Sequence, residues 1–441
     1  MRTAACAGHS VEAVVEPRLT AHSDDIVPTR RPSPFSSLRD RRYRAWFATQ
    51  VLSTSGVMTQ AVAAAWLVLH LTGRALDLAV LPVLTVGPTL LLGAAGGVLA
   101  DRVDRRRLLV ATQVASFAIG AALALVTWSG HTGLAAVYVA SFLSGVVLAF
   151  DGPARQVFVL DLVGGQRLAS AVSLYEVVQN ASRVLGPAFG GLLLAAWGPA
   201  ACFGLNALSY LPPLAVLVAV HTRRAVVATA ADHAPAPVSL SAGLRYAWGT
   251  PVIRGCLVLA ACTTTLFNPS VVFPVLATRS FHLGAGGFGL LVASFGVGAL
   301  PGALAAAGGR PPTGRRVSVL SLVTAAAVVL TACAPSVWLA SLGMAVVGFT
   351  SIWFIAAANT LVQLRSAPEL RGRVMGVWTM ALPGTGPLFA LAVGELIDVT
   401  SPRLGLAAAG LLLGAGAVLS WRWLAADAAV TTAAQPALAT G

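Results

Sequence analysis

The residues in this chain best equipped to move protons or hold charge are a few acids set beside arginines. Glu176, Asn180 and Arg183 stand at i, i+4 and i+7, so a helix carries all three on one face. A carboxylate there gains proton affinity from desolvation and loses it when a guanidinium approaches. The set is either a proton-coupling or substrate-contacting site tuned by Arg183, or a structural ion pair. Asp151 and Arg155 are spaced i, i+4 in the run Asp151-Gly-Pro-Ala-Arg155-Gln156 and suit a charge network, with helix capping as the plainer role for Asp151. Asp101 is followed by Arg102, Arg105 and Arg106, an arrangement suited to charge-assisted bonds that latch one group of helices to another. Glu395 and Asp398 are reserve acids for proton coupling.

Several chemistries are excluded. All 29 Lys-or-Arg positions are arginine, so the chain has neither the lysine of a nucleotide-binding P-loop nor an amine for a Schiff base. The five cysteines, Cys6, Cys202, Cys256, Cys262 and Cys333, form no C-x-x-C pair, and four lie in apolar runs as small hydrophobes do. The seven histidines show no H-x-x-x-H spacing. Neither a metal site nor a cofactor is expected.

The elements that must position these acids follow from composition. A soluble domain is roughly 45–50% apolar and about 25% charged. This chain of 441 residues is 57% hydrophobic and 10% charged, with a mean hydropathy of +0.80, which marks an integral membrane protein. At about 20 apolar residues per span, twelve helices are expected, over 46–71, 78–100, 108–128, 134–150, 169–197, 200–220, 252–277, 286–307, 317–332, 337–362, 374–397 and 404–424. Glu176 then lies roughly 10 Å inside the fifth span at 1.5 Å per residue, where ionisable groups face a cavity or a partner.

The arginines sort themselves along this map. Loops after odd-numbered spans hold only Arg74, Arg279 and Arg403, and Arg183 lies within a span. All the others fall in the N-terminal tail, in or next to the loops after even-numbered spans, or at the C-terminal end, which predicts cytoplasmic termini. The net charge of +13 is thereby a topology signal and not a nucleic-acid footprint. The polar stretch after the sixth span divides the chain into a tail (1–38), a first six-helix bundle (39–221), a linker (222–251), a second bundle (252–424) and a short tail (425–441). Gly186-Pro187 and Gly386-Pro387, in the fifth and eleventh spans, hint at duplicated halves.

The turn Gly97-Val-Leu-Ala-Asp101-Arg102-Val-Asp104-Arg105-Arg106-Arg107-Leu-Leu109 resembles the signature loop of the major facilitator superfamily. It matches at Gly97, Leu99, Asp101, Arg102, Arg105, Arg106 and Leu109, and has Asp104 where the family has a second glycine. The resemblance implies that Asp101 steadies the outward-open state against the start of helix 11, and Gly97 is expected to let two helices approach closely. The equivalent turn of the second half, Gly308 to Arg316, lacks the carboxylate. Ser182-Arg183-Val-Leu-Gly186-Pro187-Ala-Phe-Gly190-Gly191 resembles the motif of drug/proton antiporters and related exporters, with Ser182 in place of the leading glycine. The Asp151–Gln156 run, Leu370-Arg371-Gly-Arg373-Val-Met375 and Leu205-Asn206-Ala-Leu-Ser209 resemble the branch that exports enterobactin and multiple drugs.

Together these features predict an all-helical carrier of the plasma (inner) membrane, monomeric and not an enzyme. It is expected to export a small organic molecule in exchange for protons, with proton-coupled uptake as the alternative. Tyr175, Asn180, Asn206, Asn268, Trp353 and Asn359, with Gln60 and Gln363, are placed to line a cavity or to satisfy helix contacts.

Overall fold

The computed structural model describes residues 36–163, 168–219, 240–264, 269–308, 312–367 and 370–434, and among them every regular element is helical. The first half runs from a single turn at Ser36–Arg39 through α1 (Arg41–Thr72), α2 (Ala75–Arg102), α3 (Arg105–Trp128), α4 (Leu134–Val163), α5 (Leu168–Ser209) and α6 (Leu211–Ala219). The second half holds α7 (Leu240–Gly249), α8 (Pro251–Thr263), α9 (Pro269–Val275), α10 (Ala285–Ala307), α11 (Gly314–Ala332), α12 (Val337–Arg365), α13 (Arg371–Thr379), α14 (Gly386–Val399) and α15 (Pro402–Ala434). Among the described residues, nine stretches are long and apolar enough to cross a membrane.

The remaining expected spans are interrupted helices. The segment expected at 169–197 and the first half of that expected at 200–220 run together through α5, broken at Gly198, whose φ of +76° and ψ of −178° are open to glycine alone; Pro199 then restarts the helix, and after a turn at Tyr210 α6 completes the stretch. The stretch expected at 252–277 consists of α8, α9 and a wide π-type turn at Leu276–Ser280. The stretch expected at 374–397 is α13, a second such turn at Met380–Gly384, and α14. The two Gly-Pro pairs thus act differently, since Pro187 lies inside a continuous helical stretch whereas Gly386-Pro387 opens α14. Helix α7 falls within the stretch read as a linker and packs on α13, with the Tyr246 hydroxyl accepting from the Ala367 amide at 3.2 Å.

Short polar side chains set the helix starts. Asp40 caps α1 through the amides of Arg42 (2.8 Å) and Tyr43 (3.3 Å), Thr313 caps α11, and Ser336 caps α12. One end of the molecule, where α2 passes into α3 and α12 into α13, carries most of the arginines. At the opposite end, where α1 meets α2 and α14 meets α15, the described residues include only Arg74, Arg279 and Arg403. Trp128, Trp197 and Trp338 are 81%, 72% and 72% exposed at this arginine-poor end, as aromatic side chains at a membrane–water boundary are.

Packing between the halves is lopsided. Among the described residues it runs chiefly through α5 on α10 and α2 on α14, with α9 touching α1 and α2. At the arginine-rich end, α8 and α13 pack chiefly within the second half.

Candidate functional site

The glycines of α5 build two different contacts. A Cβ on Gly186 would lie 2.5 Å from the Met58 Cβ and 2.9 Å from the Ser55 carbonyl of α1; one on Gly190 would lie 3.0 Å from the Thr59 Cα. Gly191 instead abuts the backbone of Gly289 in α10, across the halves, where any side chain would collide. The Thr59 hydroxyl donates within hydrogen-bond distance to the carbonyls of Ser55 (3.0 Å) and Gly186 (3.1 Å). Ser182 is fully buried with its hydroxyl 3.2 Å from that of Ser55, so the departure from the glycine motif adds a hydrogen bond between α1 and α5. Glu176, Asn180 and Arg183 occupy the same helix, and their side chains lie outside the described residues.

A buried polar cluster sits beside this helix. Asp151 is 5% exposed and accepts from the Thr112 hydroxyl (2.8 Å), Gln113 Nε2 (3.2 Å) and Arg155 Nη2; Arg155 Nη1 also donates to Gln50 Oε1. Because α4 continues to Val163, Asp151 is an interior residue and not a cap. Gln50 Nε2, Gln113 Oε1 and Arg155 Nε are buried there with no hydrogen-bond partner among the described residues. One carboxylate thus holds three side chains, while three of the cluster's own polar groups go unmet among the described residues.

The turn between α2 and α3 departs from expectation in two respects. The glycine whose Cβ has no room is Gly96, pressed on the Ala149 carbonyl of α4, whereas Gly97 has open space around it. Close approach in this state therefore depends on Gly96 and not on Gly97. Asp104 adopts φ −64° and accepts from the Arg107 amide at 3.0 Å, so it caps α3 where the family turn has glycine. Arg105 grips Asp161 of α4 with Nη1 3.1 and 3.0 Å from the two oxygens, and Arg106 donates to the carbonyls of Leu217 and Val218 at the end of α6, each at 2.6 Å. Both arginines thereby bind their own half. Arg102 is exposed, and the Asp101 side chain lies outside the described residues. A groove of about 760 Å³ beside Arg106 and Arg107 is walled by α3 and the end of α6, so it opens on the flank of the first half and not between the halves.

Several cavity candidates sit in helix contacts. Asn206 Nδ2 donates to Gln60 Oε1 at 2.6 Å, joining α5 to α1. Trp353 lies between the Phe349 ring at 5.4 Å and the Arg316 guanidinium at 4.9 Å. Asn359 accepts from Gln363 on its own helix at 2.7 Å, Tyr175 is half-buried, and Asn268 lies outside the described residues. Gln50, Gln113 and Asp161 were not singled out from the sequence. The two glutamines carried the same signal as Gln60, an uncharged polar residue within an apolar run.

Known proteins place this geometry in context. A family model described as transmembrane secretion effector matches residues 32–437. The multidrug efflux pump Tap of Mycolicibacterium fortuitum is 30% identical over 373 residues, covering 81% of this chain and 90% of Tap. The enterobactin exporter EntS of Salmonella typhimurium is 28% identical over 331 residues, covering 72% of this chain and 78% of EntS. Among solved structures, a bacterial homologue of the human lysosomal transporter Spinster, in its inward-facing unoccupied conformation, superposes with TM-score 0.66 at 14% identity, covering 88% of this chain and 98% of that one. A D-xylose–proton symporter superposes with TM-score 0.66 at 16% identity, covering 87% and 97%.

Proposed function

The chain belongs to the transmembrane secretion effector family of the major facilitator superfamily, and on that premise we propose that it exports small organic molecules, drug-like compounds or siderophores, in exchange for protons. The observation that carries this reading is the lopsided packing of the halves. A carrier exposing its site to one side at a time must close one end while the other is free, and here Gly191 on Gly289, Trp66 on Phe288, Gly394 on Ala75 and Ala79, and Asp398 on the first amides of α2 bring the halves together toward the arginine-poor end. With the arginine-rich end cytoplasmic, this is the access state that receives cargo from inside. Twelve spans in two six-helix bundles, 39–221 and 252–424, fit the interrupted helices, because α8 with α9 and α13 with α14 each supply one span's length. The protein works in the plasma membrane as a monomer, with no nucleic-acid partner.

The family loop acts in the opposite state. Asp101, at the end of α2, engages the start of the eleventh span, α13, when the arginine-rich end closes; Gly97, open here, then meets that helix. Arg105, Arg106, Asp151 and Arg155 keep the first half rigid as it rocks. Glu176 with Arg183 is the coupling pair, and the buried Asp151 cluster is the alternative seat of the proton. Glu176→Gln is expected to abolish ΔpH-driven efflux of ethidium or enterobactin from cells lacking their own exporters, while ethidium binding and downhill exchange persist. Concentrative efflux with an unchanged pH profile in that variant would move the coupling to Asp151.

A further inference from the structure

The turn from α1 to α2 is held by two side chains from the other half of the molecule. Asp398, in the last turn of α14, accepts from the amides of Ala75 and Leu76, each at 2.9 Å, with its two oxygens. Those amides are the first two of α2, whose own N-cap residue, Arg74, makes no side-chain cap bond. The exposed donors of a helix start favour a carboxylate, and here the carboxylate arrives from more than 300 residues away. Arg279, at the end of the turn following α9, donates to Asp398 at 2.7 Å and to the Gly73 carbonyl at 2.5 Å. Gly73 is itself the left-handed cap of α1, with φ +68°. One turn before Asp398, Gly394 lies against Ala75, Leu76 and Ala79, leaving no room for a side chain between α14 and α2.

We propose that Asp398 and Arg279 form a clamp that holds the arginine-poor end shut, and that its release is a required step in opening that end. The clamp makes four hydrogen bonds: three cross between the halves to backbone groups of one turn, and the fourth, Arg279 to Asp398, braces the two side chains within the second half. When α14 leaves α2, the two amides pass to water and Arg74 offers no substitute. Closure is thus favoured by a trans-acting helix cap, which differs from a simple ion pair in a testable way. An ion pair survives exchange of its two charges. A helix start does not accept a guanidinium.

The inference rests on the alternating-access reading above, and the experiment separates the two. In full-length protein in lipid nanodiscs, with Cys6, Cys202, Cys256 and Cys262 replaced by alanine, spin labels on His131→Cys and on the native, exposed Cys333 report the spacing of the halves at the arginine-poor end. Asp398→Asn and Arg279→Gln are each expected to raise the ratio of long to short spacing about tenfold, the scale of losing a charged hydrogen bond. Asp398→Glu should shift it less. The exchanged pair Asp398→Arg/Arg279→Asp should remain open, and Arg74→Gln should match the parent. Two spacings whose ratio ignores every substitution would overturn the clamp alone, and recovery of closure in the exchanged pair would show that the start of α2 needs no carboxylate and so overturn the cap. A single short spacing in the parent and all variants would overturn both the clamp and alternating access.

Discussion

At the scale of single residues, the decisive question is which charges are held and which are poised to move. Asp151 is held, and Arg155 depends on it. Removing one partner of a buried pair costs about 3–5 kcal/mol, whereas replacing both with apolar groups costs far less. Asp151→Leu should therefore lower thermal stability in detergent more than the double variant Asp151→Leu/Arg155→Met. Equal losses would show that the two charges do not depend on each other. Asp398 is a poor coupling acid by its surroundings. Partial burial raises its pKa, but the amides of Ala75 and Leu76 and the Arg279 guanidinium outweigh burial and hold it below the usual carboxylate value. A group depressed in the clamped state contributes closure above its ordinary pKa and loses it as pH falls through the depressed value. The clamp should thus persist at mildly acidic pH, and a transport optimum that shifts in Asp398→Asn would contradict this. The sequence placed Asp151 and Arg155 side by side through their i, i+4 spacing. It was silent on Gln50 and Gln113, because their partnership depends on how α1 and α3 meet α4.

At the scale of elements, glycines report where helices touch and in which state. Gly190 and Gly191 are neighbours with different duties, the first against Thr59 of α1 within the first half and the second against Gly289 of α10 across the halves. Gly190→Leu should reduce the folded yield, since α1 and α5 pack together irrespective of access state. Gly191→Leu should leave the yield intact and drive the arginine-poor end open, read as increased labelling by a bulky maleimide of a cysteine placed at Phe288, which is buried against Trp66 across the halves. Similar yields with no change in labelling would place the two glycines in one role. The repeat of apolar stretches made most helices legible before the fold was known. The interruptions were not legible, because the break at Gly198 and the π-type turns at Leu276–Ser280 and Met380–Gly384 arise from local backbone choices that an apolar run does not encode. The signature loop was legible as a motif but not in its contacts, since the close approach of α2 to α4 falls on Gly96, one residue before the family glycine.

At the scale of the whole molecule, the family membership, the interrupted apolar helices and the cross-half packing biased toward the arginine-poor end describe one coherent carrier. If that end faces outside, as we propose from the sorting of arginines, a reporter fused at Thr132 and one fused at Ala230 should lie in opposite compartments; the same compartment for both would break the twelve-span map. Cargo and coupling depend on polar groups whose arrangement changes between states, which neither composition nor hydropathy specifies. The most direct test uses inverted membrane vesicles from cells lacking other exporters, with an imposed proton gradient, acid inside, followed by a pH-sensitive dye. Ethidium should accumulate inside the vesicles and dissipate the gradient as it enters, both effects vanishing with a protonophore. Accumulation that persists without the gradient, or that occurs only in right-side-out vesicles, would contradict export by proton exchange.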